Sequence, residues 1–294
     1  MLASCWTWDV DPVILPIAGP IQIRWYGLAF LGVFYFGYLL QAWQFARAGR
    51  SKEIAARFVN WGIVGVFVGA WFGHRLFYEW DKVVSNPLYL IDIRGGIAGL
   101  SSHGATFGCI TVLILFGRKF RIPIGEMFDR FMWACASAAA FVRLGNFFNS
   151  EVVGRPSDVP WAVCLPQYDA HHGLPLTPRH PSQLYEVLIG IAILGILTLV
   201  DRLAGGEKRP RWLMMGTFFT LYFGARFAVE FVKEQQGGVP DDWNITTGAI
   251  LSIPFFLTGV GFIIYALKAR LPASEGVATI DEPPAPEPSK SKKK

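Results

Sequence analysis

Four short runs of this sequence gather residue types that can hold and transform an anion. The richest is Arg143-Leu-Gly-Asn146-Phe-Phe-Asn149-Ser-Glu151-Val-Val-Gly154-Arg155. If the segment stays helical to about Asn149, Arg143, Asn146 and Ser150 fall at i, i+3 and i+7 and line one wall. Gly145 leaves room for a ligand or a neighbouring helix, and Gly154 suits a turn that needs positive φ. A polar helix-packing seam is the plainer reading. Two arginines, two asparagines and a glutamate within thirteen residues exceed what packing needs.

The second run is Tyr222-Phe-Gly-Ala-Arg226-Phe-Ala-Val-Glu230. Steps of four stack Tyr222, Arg226 and Glu230 along one helix face, where Arg226 can pair with Glu230 or donate to an anion. This helix alone does not separate a self-neutralised ion pair from a binding group. A second arginine on another helix tips the balance, because two guanidinium forks can clamp a phosphodiester from two sides.

The third run, Ser101-Ser102-His103-Gly104-Ala105-Thr106-Phe107-Gly108, contains a histidine that can serve as general base near neutral pH or pack as a hydrogen-bonded structural residue. The fourth is His180-Pro-Ser-Gln-Leu-Tyr185-Glu186. Its Glu186 needs a partner, such as an intramembrane arginine, and structural and functional roles weigh equally there. His74 reads as structural. His171, His172 and His180 fit no common zinc spacing, so no metal is expected.

The elements that must position these residues lie in a membrane. Of 294 residues, 52% are hydrophobic, 15% aromatic and only 17% charged, and the mean hydropathy is +0.36. Such a balance argues against a water-soluble globule. A net charge of +5 on so apolar a chain gives no reason to expect nucleic acid as partner. Cys5, Cys109, Cys135 and Cys164 form neither a disulfide scaffold nor a zinc ribbon. Whether Cys5 and Cys164, both expected outside, pair is left open.

Only helices or closed barrels satisfy their backbone in hydrocarbon, and a helix needs about 17–25 apolar residues to cross it. Seven segments qualify, roughly Trp25 to Trp43, Val59 to Tyr78, Ile97 to Phe116, Phe131 to Asn149, Leu184 to Val200, Trp212 to Val232 and Thr247 to Leu267. The fold class is therefore an all-α integral membrane protein of about seven transmembrane helices. Eighteen of the 27 Lys and Arg fall on one side of these spans and five on the other. The positive-inside rule then puts the N-terminus outside, in the periplasm, and the C-terminus in the cytoplasm. Residues 1–20 form an outer segment, 21–270 the helical domain and 271–294 a Pro- and Lys-rich tail expected to be disordered. Residues 1–20 lack the pattern of a cleavable signal peptide, and Leu2-Ala3-Ser4-Cys5 matches a lipidation pattern by chance.

Arg24, Arg75, Arg143 and Arg226 remain at membrane depth, where each charge costs roughly 2.5–3.5 kcal/mol. Snorkelling or ion pairing is as good an account as function for Arg24 and Arg75. Arg143 and Arg226, well inside their spans, point to an anionic ligand.

The order and spacing of Ile23-Arg24-Trp25-Tyr26-Gly27, His103-Gly104, the Arg143 to Arg155 run, His180-Pro-Ser-Gln-Leu-Tyr-Glu186 and Arg226-Phe-x-x-Glu230-Phe resemble bacterial prolipoprotein diacylglyceryl transferases over roughly Asp11 to Leu267. There are two departures. Gly104-Ala105 stands where the family usually has two glycines, and Lys233-Glu234-Gln235-Gln236 where many members read Arg-x-Pro-Asp. The resemblance implies transfer of the diacylglyceryl group of phosphatidylglycerol to the lipobox cysteine of a prolipoprotein signal peptide, with release of glycerol phosphate, in the bacterial inner membrane. It also implies roles for the residues. Arg143 and Arg226 would clamp the phosphate, and His103 would act as general base or proton relay. Asn146, Glu151 and Gly154 would shape the headgroup site, Glu230 would orient Arg226, and Tyr26 and Tyr222 would donate hydrogen bonds. Beyond these substrates and the surrounding membrane lipids, no cofactor is called for. A channel or carrier for an anionic lipid or solute, or a membrane scaffold, would use the same arginines differently.

Overall fold

In the computed structural model the chain is mostly helical. The structure describes residues 5–18, 21–92, 99–235 and 246–274. Arg94, Ile97, Gln236 and the tail from Glu275 onward lie outside these residues.

Among the described residues seven long helices stand where the seven apolar segments were expected. They are α1 (Trp25–Arg47), α2 (Lys52–Tyr78), α4 (Ser102–Lys119), α5 (Ile124–Phe148), α7 (Ser182–Leu203), α8 (Leu213–Glu230) and α9 (Thr247–Ala269), with short α3 (Trp80–Ser85) and α6 (Pro166–His171) between them. By length and composition five of them, α1, α2, α5, α7 and α9, are apolar enough to cross a membrane. Each of the other two, α4 and α8, has 18 residues, about 27 Å of helix, with polar or charged side chains at one or both ends.

Several helices run one or two turns past the apolar segments. Lys52 and Ile124 begin α2 and α5 well before Val59 and Phe131, because a charged turn ends a hydrophobic window without ending the backbone ladder. The opposite correction falls at Ser150. Helix α5 stops at Phe148, and Ser150 turns out with φ 53°, so it does not continue the Arg143–Asn146 face.

Helix α5 sits between two cores. On one side Phe45, Phe58, Leu113, Phe116 and Met127 join α1, α2 and α4 to it; on the other Trp133, Leu197, Met214 and Phe218 join α7 and α8. Helices α2 and α4 pack unusually close, since a Cβ on Gly104 would run into the Gly69 carbonyl and the Gly73 Cα. Only glycine allows that approach.

Among the described residues five short strands decorate one end of the bundle, beyond the all-α expectation. Strands β2 (Val13–Ala18) and β3 (Ile21–Arg24) form an antiparallel hairpin. Strands β1 (Trp6–Thr7), β4 (Val163–Cys164) and β5 (Pro178–Arg179) form a sheet in the order β1-β4-β5. The Cys5–Cys164 disulfide staples β1 to β4. Beneath it Trp8 packs on Phe147 at 4.6 Å and Phe148 at 5.3 Å, the last turn of α5. With its sulfur in that bond, Cys5 has no thiol to offer as a lipidation site.

Candidate functional site

At the strand-bearing end, the C-termini of α5 and α8 meet the N-termini of α7 and α9. Arg143 on α5 makes an ion pair through Nε with Glu186 Oε2 on α7. Arg226 on α8 approaches the other oxygen, Nη1 to Oε1 at 3.8 Å, and its Nη2 pairs with Glu230 Oε1 at 3.2 Å. The four-residue step from Arg226 to Glu230 gives that last pair directly. Ala139, Arg143, Glu186, Ile189, Tyr222 and Arg226 enclose a small cavity of about 10 Å³. Tyr222 thus faces the arginines, as its place in the Tyr222–Arg226–Glu230 stack required.

A third cation completes the cluster. Lys233, 2% exposed, donates through Nζ to Glu186 Oε1 at 3.2 Å and to Glu230 Oε1 at 3.1 Å. Thr246 Oγ1 donates to Glu230 Oε2 at 2.7 Å and also accepts from Ala249 N, capping α9. Three cations and two carboxylates therefore interlock, leaving one net positive charge. Lys233 and Thr246 were not among the sequence candidates. The signal for Lys233 was the departure from the Arg-x-Pro-Asp pattern, which keeps a cation at its first position.

A second tier of hydrogen bonds leads outward from Arg143. Its Nη1 donates to Asn146 Oδ1 at 3.2 Å, Asn146 Nδ2 to Glu151 Oε2 at 3.4 Å, and Asn149 Nδ2 to Glu151 Oε1 at 3.3 Å. Gln183 Nε2 holds the Glu151 carbonyl at 2.8 Å and Ser182 Oγ that of Val152 at 3.1 Å, tying this turn to the start of α7. Tyr26 on α1 interacts with Asn146, Glu151 and Arg143, and its ring lies where a Cβ on Gly145 would be.

Gly154 does not supply positive φ; those positions here are Ser150 and Val152. It is needed for close approach, since a Cβ on Gly154 would strike the His180 carbonyl. Around it the chain is laced. Arg155 N donates to Val232 O at 2.9 Å, Arg155 Nε to Lys233 O at 2.8 Å, and His180 N to Arg155 O at 3.1 Å. Arg179 pairs with Asp169 at 3.1 Å and Glu234 at 2.8 Å. Tyr168 donates to Glu234 at 2.9 Å. Burial, then this bond to the Glu234 carboxylate, pushes the Tyr168 phenol above its ordinary value.

His103 is not drawn into this cluster. It is exposed in the first turn of α4, at the same end of the bundle, and no hydrogen bond or ion pair among the described residues joins it to Arg143 or Arg226. Arg75 has a structural role, donating to the carbonyls of Tyr89 and Asp92 with its guanidinium 4.0 Å from the Trp71 ring. Arg24 bonds Gln22. Among the described residues no group of three or more His, Cys, Asp or Glu side chains gathers as a metal site.

The opposite end of the bundle carries its own charge network. Arg130 pairs with Glu126 and Glu207, Arg50 with Glu126, and Arg209 and Arg47 with Asp201. Burial opposes the charge of Glu207, but the hydrogen bond and charge of Arg130 outweigh it and hold that carboxyl below its ordinary value.

The prolipoprotein diacylglyceryl transferase family model matches residues 12–265. Among curated proteins, the chain is similar to the phosphatidylglycerol–prolipoprotein diacylglyceryl transferase of Nitrobacter hamburgensis, with 38% identity covering 92% of this chain and 94% of that one. Proteins of the same name from Pseudoalteromonas atlantica and Chloroherpeton thalassium are each 35% identical. They cover 94% and 89% of this chain and 97% and 94% of their own.

Proposed function

Because this chain belongs to the prolipoprotein diacylglyceryl transferase family, and so is a transferase that moves a diacylglyceryl group from phosphatidylglycerol to a prolipoprotein, we propose that Arg143 and Arg226 are the pair that grips the lipid phosphate. The observation that carries this is their convergence from two helices on one carboxylate, in an ion-paired cluster with one net positive charge. A phosphodiester matches that charge and can accept from both guanidinium forks.

In this reaction the thiolate of the lipobox cysteine attacks the diacylglyceryl carbon bonded to the phosphate oxygen. The carbon–oxygen bond breaks, a thioether forms, and glycerol phosphate leaves with the electron pair. The two arginines and Lys233 stabilise the charge growing on the leaving phosphate. Asn146 and Glu151 fix the rotamer of Arg143, Glu230 that of Arg226, and Tyr26 and Tyr222 offer hydroxyls to the headgroup. Gly154 lets the Val152–Arg155 turn close on His180. An ordinary thiol, with pKa about 8.5, must lose its proton. His103, exposed at the same end, is assigned that proton once the peptide bridges the gap to the arginines.

The chain is a multi-pass membrane protein. In our reading all seven long helices span the bacterial inner membrane, with the arginine cluster near the periplasmic face. The Lys and Arg distribution supports this, and so does the Cys5–Cys164 disulfide, a bond that persists outside the reducing cytoplasm. The channel or carrier alternative is set aside, since the relatives are named for group transfer. The test is to give membranes containing the protein phosphatidylglycerol and a lipobox peptide and follow the peptide's mass. The expected gain is one diacylglyceryl group on the cysteine. An unchanged mass would reject the assigned reaction, and full activity in Arg143→Ala would reject the arginine clamp.

A further inference from the structure

Glu186 lies between Arg143 and Arg226, where a phosphate gripped by both would have to sit. Its two oxygens are divided between Arg143 on one side and Arg226 and Lys233 on the other. It is 8% exposed and helps line a cavity of about 10 Å³, the scale of one water. A phosphate that enters between the two guanidinium groups cannot share that space with the carboxylate, so one anion must replace the other there.

The charges make this exchange directional. Three cations against Glu186 and Glu230 leave the directly ion-paired cluster at +1, with Glu151 one hydrogen-bonded step further out through Asn146. Phosphatidylglycerol brings one negative charge and neutralises the site. The product does not, because cleavage turns the diester into a monoester whose second proton dissociates near pH 6, so near neutrality it carries close to two negative charges. With Glu186 ionised nearby, that product makes the site net negative.

We propose that Glu186 is a positioning residue that acts as an internal counter-anion. It holds Arg143, Arg226 and Lys233 in register in the free enzyme, yields them to the monoanionic lipid phosphate, and returns to displace the dianionic glycerol phosphate. This inference rests on the transferase reading for the identity of the two anions. It does not rest on that reading for the exchange itself.

The test measures binding to the full-length protein in detergent, without peptide, of two probes: glycerol 1-phosphate and its methyl phosphodiester. The wild type is expected to bind the diester at least as tightly as the dianion. Glu186→Gln, whose site carries +2, is expected to reverse that order and to tighten glycerol phosphate binding about tenfold or more. In the transfer assay the same variant should show lower kcat, lower KM for phosphatidylglycerol and stronger inhibition by glycerol phosphate, a split that a scaffold role would not produce. Glu186→Asp, which keeps the charge, should keep the wild-type order. Unchanged or weaker glycerol phosphate binding by a folded Glu186→Gln would overturn the proposal. If that variant does not fold, a wild-type preference for the dianion would overturn it equally. Absence of transfer with the anion shift intact would refute the reaction and leave the exchange standing. Transfer without the shift would do the reverse.

Discussion

Arg143 and Arg226 face the two oxygens of a single carboxylate, that of Glu186, from helices that are not adjacent in sequence. The relationship sets the two guanidinium groups on either side of one carboxyl, an arrangement in which two oxygens of one phosphate could take the places of the two carboxylate oxygens.

Arg143→Ala and Arg226→Ala should each lower the rate of diacylglyceryl transfer by about 10²–10³-fold, the usual effect of removing one group that stabilises developing charge. Lysine at either position should recover only part of this, because an ammonium cannot present two parallel donors. Initial rates of peptide mass increment measure both. A loss under tenfold in either alanine variant would mean that the phosphate is held elsewhere.

Lys233 separates Glu186 from Glu230. Lys233→Met should destabilise the protein by roughly 3–5 kcal/mol, as expected when a buried charge loses its partner, and lower the midpoint of thermal unfolding in detergent. Lys233→Arg keeps the positive charge between the two carboxylates. It should unfold close to the wild type and keep transfer within a few-fold of it.

Gly154→Ala places a methyl group against the His180 carbonyl. Overpacking of this kind costs about 1–3 kcal/mol, and the turn bearing Glu151 must shift to relieve it. Both unfolding temperature and transfer rate should fall. Gly27→Ala, where a Cβ would meet nothing within 4 Å, is the control and should change neither.

Glu207 gives a pH dependence of stability at the other end of the bundle. Its folded value is depressed, so its contribution is complete above the ordinary glutamate value near 4.5 and disappears as pH falls through the folded value. The unfolding temperature of Glu207→Gln should therefore lie below that of the wild type at pH 7, and the two curves should converge under acid conditions. A constant gap down to pH 3 would show that the carboxylate's charge is not what matters.

The sequence made residues related by one helical period readable, and obscured those brought together by the tertiary fold. Arg143 with Asn146, and Arg226 with Glu230, are three and four residues apart on single helices, and both pairs form. Glu186 was left undecided because its partners lie 43 and 40 residues away in sequence, on α5 and α8, and Thr246 gave no signal because its partner is across a loop. Strands of two residues such as Trp6–Thr7 and Val163–Cys164 have no readable alternation; a disulfide and the indole of Trp8 hold them in place. Ser150 leaves the Arg143–Asn146 face because α5 ends at Phe148, a stop that helical periodicity does not encode.

The brevity of α4 and α8 bears on how a lipid reaches the arginines. At about 27 Å they are shorter than an average hydrocarbon core of about 30 Å. A bilayer accommodates a short span by thinning beside it. If α8, which carries Arg226 in its last two turns, crosses the bilayer as proposed above, the headgroup plane around it should dip toward the protein's interior. Phosphatidylglycerol arriving there would then have part of its descent already made for it, and the depth of the site would be shared between helix length and membrane deformation.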